Sequence, residues 1–272
     1  MPEQQSFLTF DGIDDYLELS KGFPNIVNAV TVELWAKGQN NLQDSTTIFV
    51  AHDKQNSRHL NVHLPWSTKI YWDAGGANGS FDRIAKQVKL KEYSSWAHWA
   101  FVKDVSQGEM LIYRNGKIWH QGNDKKGSLA GISEFFIGCF LNKAHFWKGA
   151  LAEFRIWNQV RSLEEIQANM DCRLGGNEPG LVAYFPFDGD ANDKTSSGNN
   201  AKIHGATWAQ GKLPLKPREV PQPQTPDVPK KSYVPTSQTG LQDYGYWCEY
   251  VRTQVKETEG EQKPFRRGRI WA

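Results

Sequence analysis

The sequence predicts an all-β protein: a two-sheet antiparallel sandwich with one short helix, extended by a proline-rich linker and a C-terminal aromatic segment. Three observations carry this expectation. About a dozen short runs alternate apolar and polar residues, the period of a strand with one buried face, and they occupy the chain from Phe7 to Trp208. Turn residues bound these runs, most plainly Asn115-Gly116 within EMLIYRNGKIWH, a pair that supplies the two positive φ angles of a tight hairpin turn. A helical period interrupts the region once, between Ser162 and Met170, and is too short to form a layer of its own.

Taken in order, Phe7 to Leu19 reads as two short strands about the Asp11-Gly12 turn pair. Ala29 to Ala36 sets Val30, Val32 and Leu34 against Thr31, Glu33 and Trp35, a half-buried strand. Thr47 to Ala51 and His59 to Leu64 continue the pattern, and Leu60 to Arg83 forms a loop-rich block dense in Trp, Tyr, His and Gly. Trp96 to Val102, the hairpin from Glu109 to His120, Phe135 to Phe140 and Phe146 to Trp157 follow as strands. The stretch from Gly149 to Met170 organises the rest. Its first half reads as a half-buried strand of apolar and polar residues, Leu151 and Ala152, then Phe154 and Ile156 flanked by Glu153 and Arg155, and its second half opens on Ser162 and Glu165, the spacing of a capping box. Leu163, Ile166 and Met170 then share one helical face, with Gly175-Gly176 as the stop. Gly180 to Asp188 and Ile203 to Trp208 read as two returning strands that close the sheets.

Three segments carry a resemblance. GALAEFRIWN followed by SLEEI, the opening Leu8 to Tyr16 (LTFDGIDDY), and WAHWAF from Trp96 to Phe101 resemble the hallmark segments of LamG-like domains, the laminin-G-3 type within the concanavalin A-like lectin/glucanase superfamily. The resemblance spans roughly Phe7 to Trp208 and implies a jelly-roll sandwich. It also implies one structural calcium held by a loop, here DKTSSGNNA from Asp193 to Ala201, in which Asp193, Gly198 and Asn199 match the family pattern while Ser196, Ser197 and Ala201 depart from it. Asp193 and Asn199 are therefore the candidate metal ligands; a loop that hydrogen-bonds itself is the alternative reading of the same residues.

Bulk properties exclude some functions. With 272 residues and a net charge of +2, the chain can bury a sizeable core but creates no global field that would steer it to nucleic acid or a membrane surface. No run reaches the roughly 18 apolar residues of a membrane span. Cys139, Cys172 and Cys248 are scattered and odd in number, which fits free thiols in a reducing compartment. The polar start Met1-Pro-Glu-Gln-Gln lacks the apolar core of a signal peptide, so a cytoplasmically made chain is expected, exposed if it joins an assembly.

No catalytic residue is expected. Glucanases of this superfold carry E-x-D-x-x-E on one strand, where alternation gathers carboxylates around the scissile bond; here Glu153 stands alone in its strand and Glu164-Glu165 lie on the helix. His59 and His63 are four apart without a third ligand, so hydrogen-bonded histidines are expected there. The candidate ligand-binding residues are His63, Trp66, Tyr71, Trp72, Asp82 and Arg83, a set that combines aromatic faces for stacking on a sugar with charged groups that orient it. The other reading of these residues turns Tyr71 or Trp72 inward as core and pairs Asp82 with Arg83.

The organisation expected is a sandwich over 1–212, a linker over 213–236 and a partly helical docking segment over 237–272. Seven prolines fall between Pro214 and Pro235, a composition that favours an extended spacer. Beyond it Leu241, Tyr244, Cys248, Val251 and Val255 trace one helical stripe widened by Trp247 and Tyr250, and Phe265, Arg266, Arg267, Arg269, Ile270 and Trp271 form an aromatic and basic tip. Glu257, Glu259 and Glu261 offset the tip's charge, which argues against nucleic acid. The sequence thus points to a non-catalytic recognition or structural subunit: a sandwich presented to a glycan or protein and anchored through its tail to a larger protein assembly, for which phage-tail-like assemblies offer a fold-level analogy. A freestanding carbohydrate-binding lectin is the alternative, and a glycan hydrolase the third.

Overall fold

The computed structural model describes residues 4–19, 26–40, 45–77 and 80–216. The residues from 217 on, and with them Tyr244, Trp247, Tyr250, Val251, Phe265, Arg266, Arg267, Arg269, Ile270 and Trp271 of the expected docking segment, lie outside the described residues. In chain order the first strands are β1 (Gln5–Asp11), β2 (Tyr16–Leu19), β3 (Ala29–Gly38), β4 (Ser45–His52), β5 (Arg58–Trp66), β6 (Lys69–Ala77) and β7 (Ser80–Gln87). After one helical turn, α1 (Leu90–Tyr93), come β8 (Ala97–Asp104), β9 (Glu109–Arg114), β10 (Lys117–Gly122), β11 (Glu134–Ile137) and β12 (Lys148–Trp157). The helix α2 (Leu163–Asn169) precedes β13 (Leu181–Phe185), β14 (Ala201–His204) and β15 (Thr207–Gly211).

The strands form two antiparallel sheets, a jelly-roll sandwich. One sheet runs β10-β9-β8-β3-β12-β1-β15, with β13 also paired to β12, and the other runs β14-β2-β11-β4-β5-β6-β7. Alternation places Val30, Val32 and Leu34 of β3 on the inner face of the first sheet, and a bulge in β12 at Glu153, φ +53°, lets Leu151 share that face with Phe154 and Ile156. From the second sheet Leu60 and Val62 of β5, Ile70 and Trp72 of β6 and Ile84 of β7 meet them. Phe49 of β4 sits among the rings of Trp72, Phe101, Phe135 and Phe154, with centroid separations of 5.7 to 6.1 Å. Each such fully buried side chain contributes about 1.5–3 kcal/mol relative to exposure.

Four expectations change. A second helix, α1, stands where none was expected, because the Glu92 carboxylate accepts a hydrogen bond from the Lys89 backbone N–H and closes one turn between strands. β3 and β12 are buried on both faces rather than one: on β3, Thr31 Oγ1 donates to the Gln159 carbonyl and Trp35 Nε1 to the Met170 carbonyl at either end of the α2 segment, and the chain after α2 covers Glu153 and Arg155 of β12, which are 1% and 0% exposed. Leu60 to Arg83 is not loop-rich but a three-stranded meander, β5-β6-β7; its β5–β6 turn uses the positive φ angles of Ser67 and Thr68, so no glycine announces it. The segment 203–208 is not one strand but two, since Gly205, at φ +77°, breaks it so that β14 pairs with β2 in one sheet and β15 with β1 in the other. The capping box of α2 forms as expected, with Ser162 N–H donating to Glu165 Oε2 and Glu165 N–H to Ser162 Oγ.

Past β15 the chain stays on the sandwich for a few residues. Leu213 is buried against Trp35 and Ala152, Leu215 packs beside it, and Lys216 donates its backbone N–H to the Asp171 carbonyl.

Candidate functional site

The outward residues of β5, β6 and β7 gather into a cavity of about 220 Å³ lined by Arg58, His63, Trp66, Tyr71, Arg83 and Phe140. Strand alternation explains most of this set. With Val62, Trp72 and Ile84 turned to the core, His63, Tyr71 and Arg83 must face out, and the register sets His63 opposite Tyr71. Arg58 reaches the same face through a bulge. Successive partners of β4 residues Ala51 and His52 are Leu60 and Arg58, so one residue on β4 stands against two on β5, and the extra residue reverses the alternation. A second bulge lies in β6, where Ala74 and Gly76 flank Gly75 opposite the successive residues Asp82 and Phe81. Gly75 holds φ +76°, and a Cβ there would meet the Gly127 carbonyl oxygen at 2.2 Å, so only glycine fits.

Asp73 lies beneath the cavity, fully buried. Arg83 clamps it with Nε at 2.5 Å from Oδ1 and Nη2 at 2.8 Å from Oδ2, and Arg58 Nη1 lies 3.2 Å from Oδ2. The Asp73 hydrogen bond and charge hold the Arg83 guanidinium above its ordinary pKa, whereas burial, followed by the charge of Arg83, lowers that of Arg58 in spite of Asp73. Both guanidiniums stack on rings: Arg58 over Phe81 at 3.8 Å and Arg83 over Tyr71 at 4.6 Å. His63 Nδ1 lies 3.0 Å from Thr47 Oγ1 and 3.3 Å from the Thr46 carbonyl oxygen. Burial, reinforced by the charge of Arg58, pushes its pKa down to about 3, so the ring is neutral at pH 7. The Trp66 ring lies 4.4 Å from that of His63 and 4.6 Å from that of His145, forming one wall.

Four of the six candidate ligand-binding residues thus come together: His63, Trp66, Tyr71 and Arg83. Trp72 does not. It is fully buried, its Nε1 donates to the Val102 carbonyl 3.0 Å away, and it belongs to the core because it sits one residue out of phase with Tyr71. Asp82 is also turned from the cavity; it accepts from Lys103 Nζ at 2.6 Å and from Gly127 N–H at 2.7 Å, while Arg83 pairs with Asp73 rather than with Asp82. Arg58 and Phe140 were missed. Phe140 follows β11, distant in sequence, and Arg58 reaches the site by a bulge that no alternation pattern encodes.

Other candidates have structural roles. Glu153 accepts from Arg155 Nη2 at 2.7 Å and from the Tyr184 hydroxyl at 2.8 Å, beneath the α2 segment. Glu165 closes the helix cap. His59 pairs with Asp53 at 3.2 Å and His63 with the threonines, so the two histidines do not converge. Asp193 Oδ1 accepts from the N–H groups of Tyr184 and Thr195, and Oδ2 from Thr195 Oγ1 and Asn199 N–H, at 2.9 to 3.0 Å. Asp193 is thus the hub of its own loop, and Asn199 meets it through its backbone. Asp11, Asp14 and Asp15 bring carboxylate oxygens within 4.8 Å of one another, although Asp11 and Asp15 already accept backbone N–H groups of Ile13 and Asp11. Among the described residues no helix is long and apolar enough to cross a membrane.

Two β-sheets stacked about one aromatic core, with a cavity on an outer sheet face, define a lectin-type sandwich. The family model of the laminin-G-3 type, described as the concanavalin A-like lectin/glucanases superfamily, matches residues 11–167, more than half of the chain, and the chain belongs to this superfamily. No curated protein sequence matches it. A solved Bacteroides ovatus protein with an inferred carbohydrate-binding role is similar in fold, with a TM-score of 0.59 and 18% identity over 78% of this chain and 61% of that one. The chain therefore spans less than two thirds of that protein's length. The heptameric SAP-like pentraxin of Limulus polyphemus has a TM-score of 0.48 at 16% identity, covering 60% of this chain and 80% of its own. The receptor-binding domain of botulinum neurotoxin D has 0.46 at 16%, covering 60% and 43%.

Proposed function

We propose that the chain is a non-catalytic recognition subunit whose sandwich binds a glycan in the cavity between Trp66, Tyr71, Phe140, His63 and the two guanidiniums. The observation that carries this reading is the cavity itself: ring faces and charged or polar groups converge at one place on an outer sheet face, the combination that holds a sugar by stacking and orients it by hydrogen bonds. Its six lining side chains include no carboxylate, whereas glycoside hydrolysis works through two that flank the scissile bond; this supports binding without cleavage. The aromatic stripe from Leu241 to Val255 and the tip around Trp271 complete the proposal as the segment that joins the sandwich to a larger protein assembly. Glycan binding is common to this reading and to a freestanding lectin, and the tail is what separates them.

The test is a glycan array probed with the full chain and with Trp66→Ala. Retained glycans should be lost or weakened by about 1–3 kcal/mol in the variant, the range for a stacked anchor. An array signal that Trp66→Ala leaves intact would place the site elsewhere, and reducing ends released by the wild type but not by the variant would overturn the non-catalytic reading. Fusing Gly240 to Ala272 to an unrelated protein should transfer co-purification of the native assembly; a fusion that purifies alone removes the docking role.

A further inference from the structure

We propose that this cavity selects an acidic sugar, a single ring bearing a carboxylate or a sulfate ester together with a hydroxyl group, which sets its anion on Arg83 and Arg58, donates its hydroxyl to His63 Nε2 and lays a ring face on Trp66. The inference rests on the glycan-binding reading and names the substrate class for the same site.

The charge balance comes first. Two guanidiniums and one carboxylate meet at the cavity, and the carboxylate, Asp73, is buried beneath it while the Arg83 side chain is 39% exposed. None of the lining residues is acidic, so the wall presents a net positive charge to whatever enters. Arg83 uses Nε and Nη2 on Asp73, which leaves Nη1 without a partner among the described residues. Arg58, with Nη1 on Asp73 and its plane stacked on Phe81, adds a second positive charge beside it. Donors left over from a guanidinium fork are what carboxylate and sulfate oxygens accept best. Asp73 fixes both forks before any ligand arrives, so little rotamer freedom is lost on binding.

The hydroxyl requirement follows from the tautomer of His63. Nδ1 faces two oxygens, the Thr46 carbonyl, which can only accept, and the Thr47 hydroxyl, which can also accept; we assign the proton to Nδ1, where it serves both. In a neutral ring Nε2 is then a bare acceptor, with no partner among the described residues. It cannot bind an anion, but it can take an O–H. A simple anion would therefore leave His63 unused, and a neutral sugar would meet the guanidinium donors only through hydroxyl oxygens, without the charge-assisted bonds that an anion makes. The cavity, at about 220 Å³, lies below the roughly 300–1,000 Å³ of pockets that enclose drug-sized ligands, which suits one ring.

The experiment is calorimetric titration of the full chain with galacturonate, glucuronate and N-acetylneuraminate oligosaccharides, each beside its carboxyl-reduced counterpart, and with sulfated galactan oligosaccharides beside the desulfated ones. At least one acidic member should bind about tenfold or more tighter than its neutral twin, with an affinity that falls with salt. Arg83→Gln should shrink that ratio to about threefold or less, and Arg83→Lys, which keeps a cation for Asp73, should give an intermediate ratio; urea melts of both variants report whether the fold is kept. His63→Gln should weaken the acidic and neutral members alike. The carboxylate and sulfate arms tell which anion is read. Equal binding of acidic and neutral members, abolished by Trp66→Ala, overturns the acidic selectivity and leaves the glycan-binding reading standing. Binding of none of them overturns both.

Discussion

Arg83 holds Asp73 by both edges of its fork, Nε on Oδ1 and Nη2 on Oδ2, although Asp73 is fully buried and Arg83 reaches solvent. The pair joins β6 to β7 and also fixes Arg58, so one carboxylate sets the floor of the cavity. Asp73→Asn would leave two guanidiniums facing an amide. Breaking a buried pair costs about 3–5 kcal/mol, and the exposure of Arg83 reduces this to roughly 2–3 kcal/mol. Urea unfolding should show that loss; an unchanged midpoint would mean that the guanidiniums relax into water at no cost.

Trp66 and Trp72 should behave oppositely. Trp72→Ala removes a core side chain and should cost about 3–5 kcal/mol, whereas Trp66→Ala, on the cavity wall, should stay within about 1 kcal/mol of wild type. Thermal melts of the two variants read this directly, and comparable losses would place Trp66 in the core as well.

His63 links stability to pH. Its pKa is about 3 in the folded chain and about 6.5 when unfolded. Between these values the unfolded chain binds a proton that the folded chain does not. The stability from a neutral His63 is thus fully present above about pH 6.5 and falls toward pH 3, by up to about 1.4 kcal/mol per pH unit. Buried His98, whose pKa is also lowered by burial, adds a slope of the same sign, so the measurement is the difference between wild type and His63→Gln over this window. Parallel curves would show that His63 takes up its proton without unfolding the chain.

Asp193→Ala would strip four donors of their acceptor, three of them backbone N–H groups, and should cost about 2–4 kcal/mol. Calcium offers a second measurement. A melting temperature raised by calcium in the wild type and not in the variant assigns a cation to this loop, and a wild-type melt that calcium leaves unmoved assigns the carboxylate to the loop's own hydrogen bonds.

Chains ending at Lys212 and at Lys216 should differ. The longer one keeps Leu213 against Trp35 and Ala152 and the Lys216 to Asp171 hydrogen bond, worth about 2 kcal/mol from the leucine alone. Equal denaturation midpoints would show that these four residues contribute nothing.

The sequence by itself determined the sandwich, its inward residues and the capped helix, because each follows from a local rule. A period of two puts Val30, Val32 and Leu34 on one face wherever the strand lies, and Ser162 with Glu165 caps α2 within four residues. Half-burial of β12 was the natural reading of its pattern, since no local signal says that α2 will fold back over Glu153 and Arg155 and bury their charges against each other. The site divides in the same way. Aromatic and charged residues marked Trp66, Tyr71 and Arg83, but a slip of one residue decides whether an indole faces ligand or core, and it sent Trp72 inward. Only the tertiary structure brought in Arg58, through a bulge opposite β4, and Phe140 from beyond β11, and only there did Arg83 choose Asp73 over its neighbour Asp82. Register, bulges and pairing across strands depend on residues far apart in the chain, and a pattern read along one strand does not contain them.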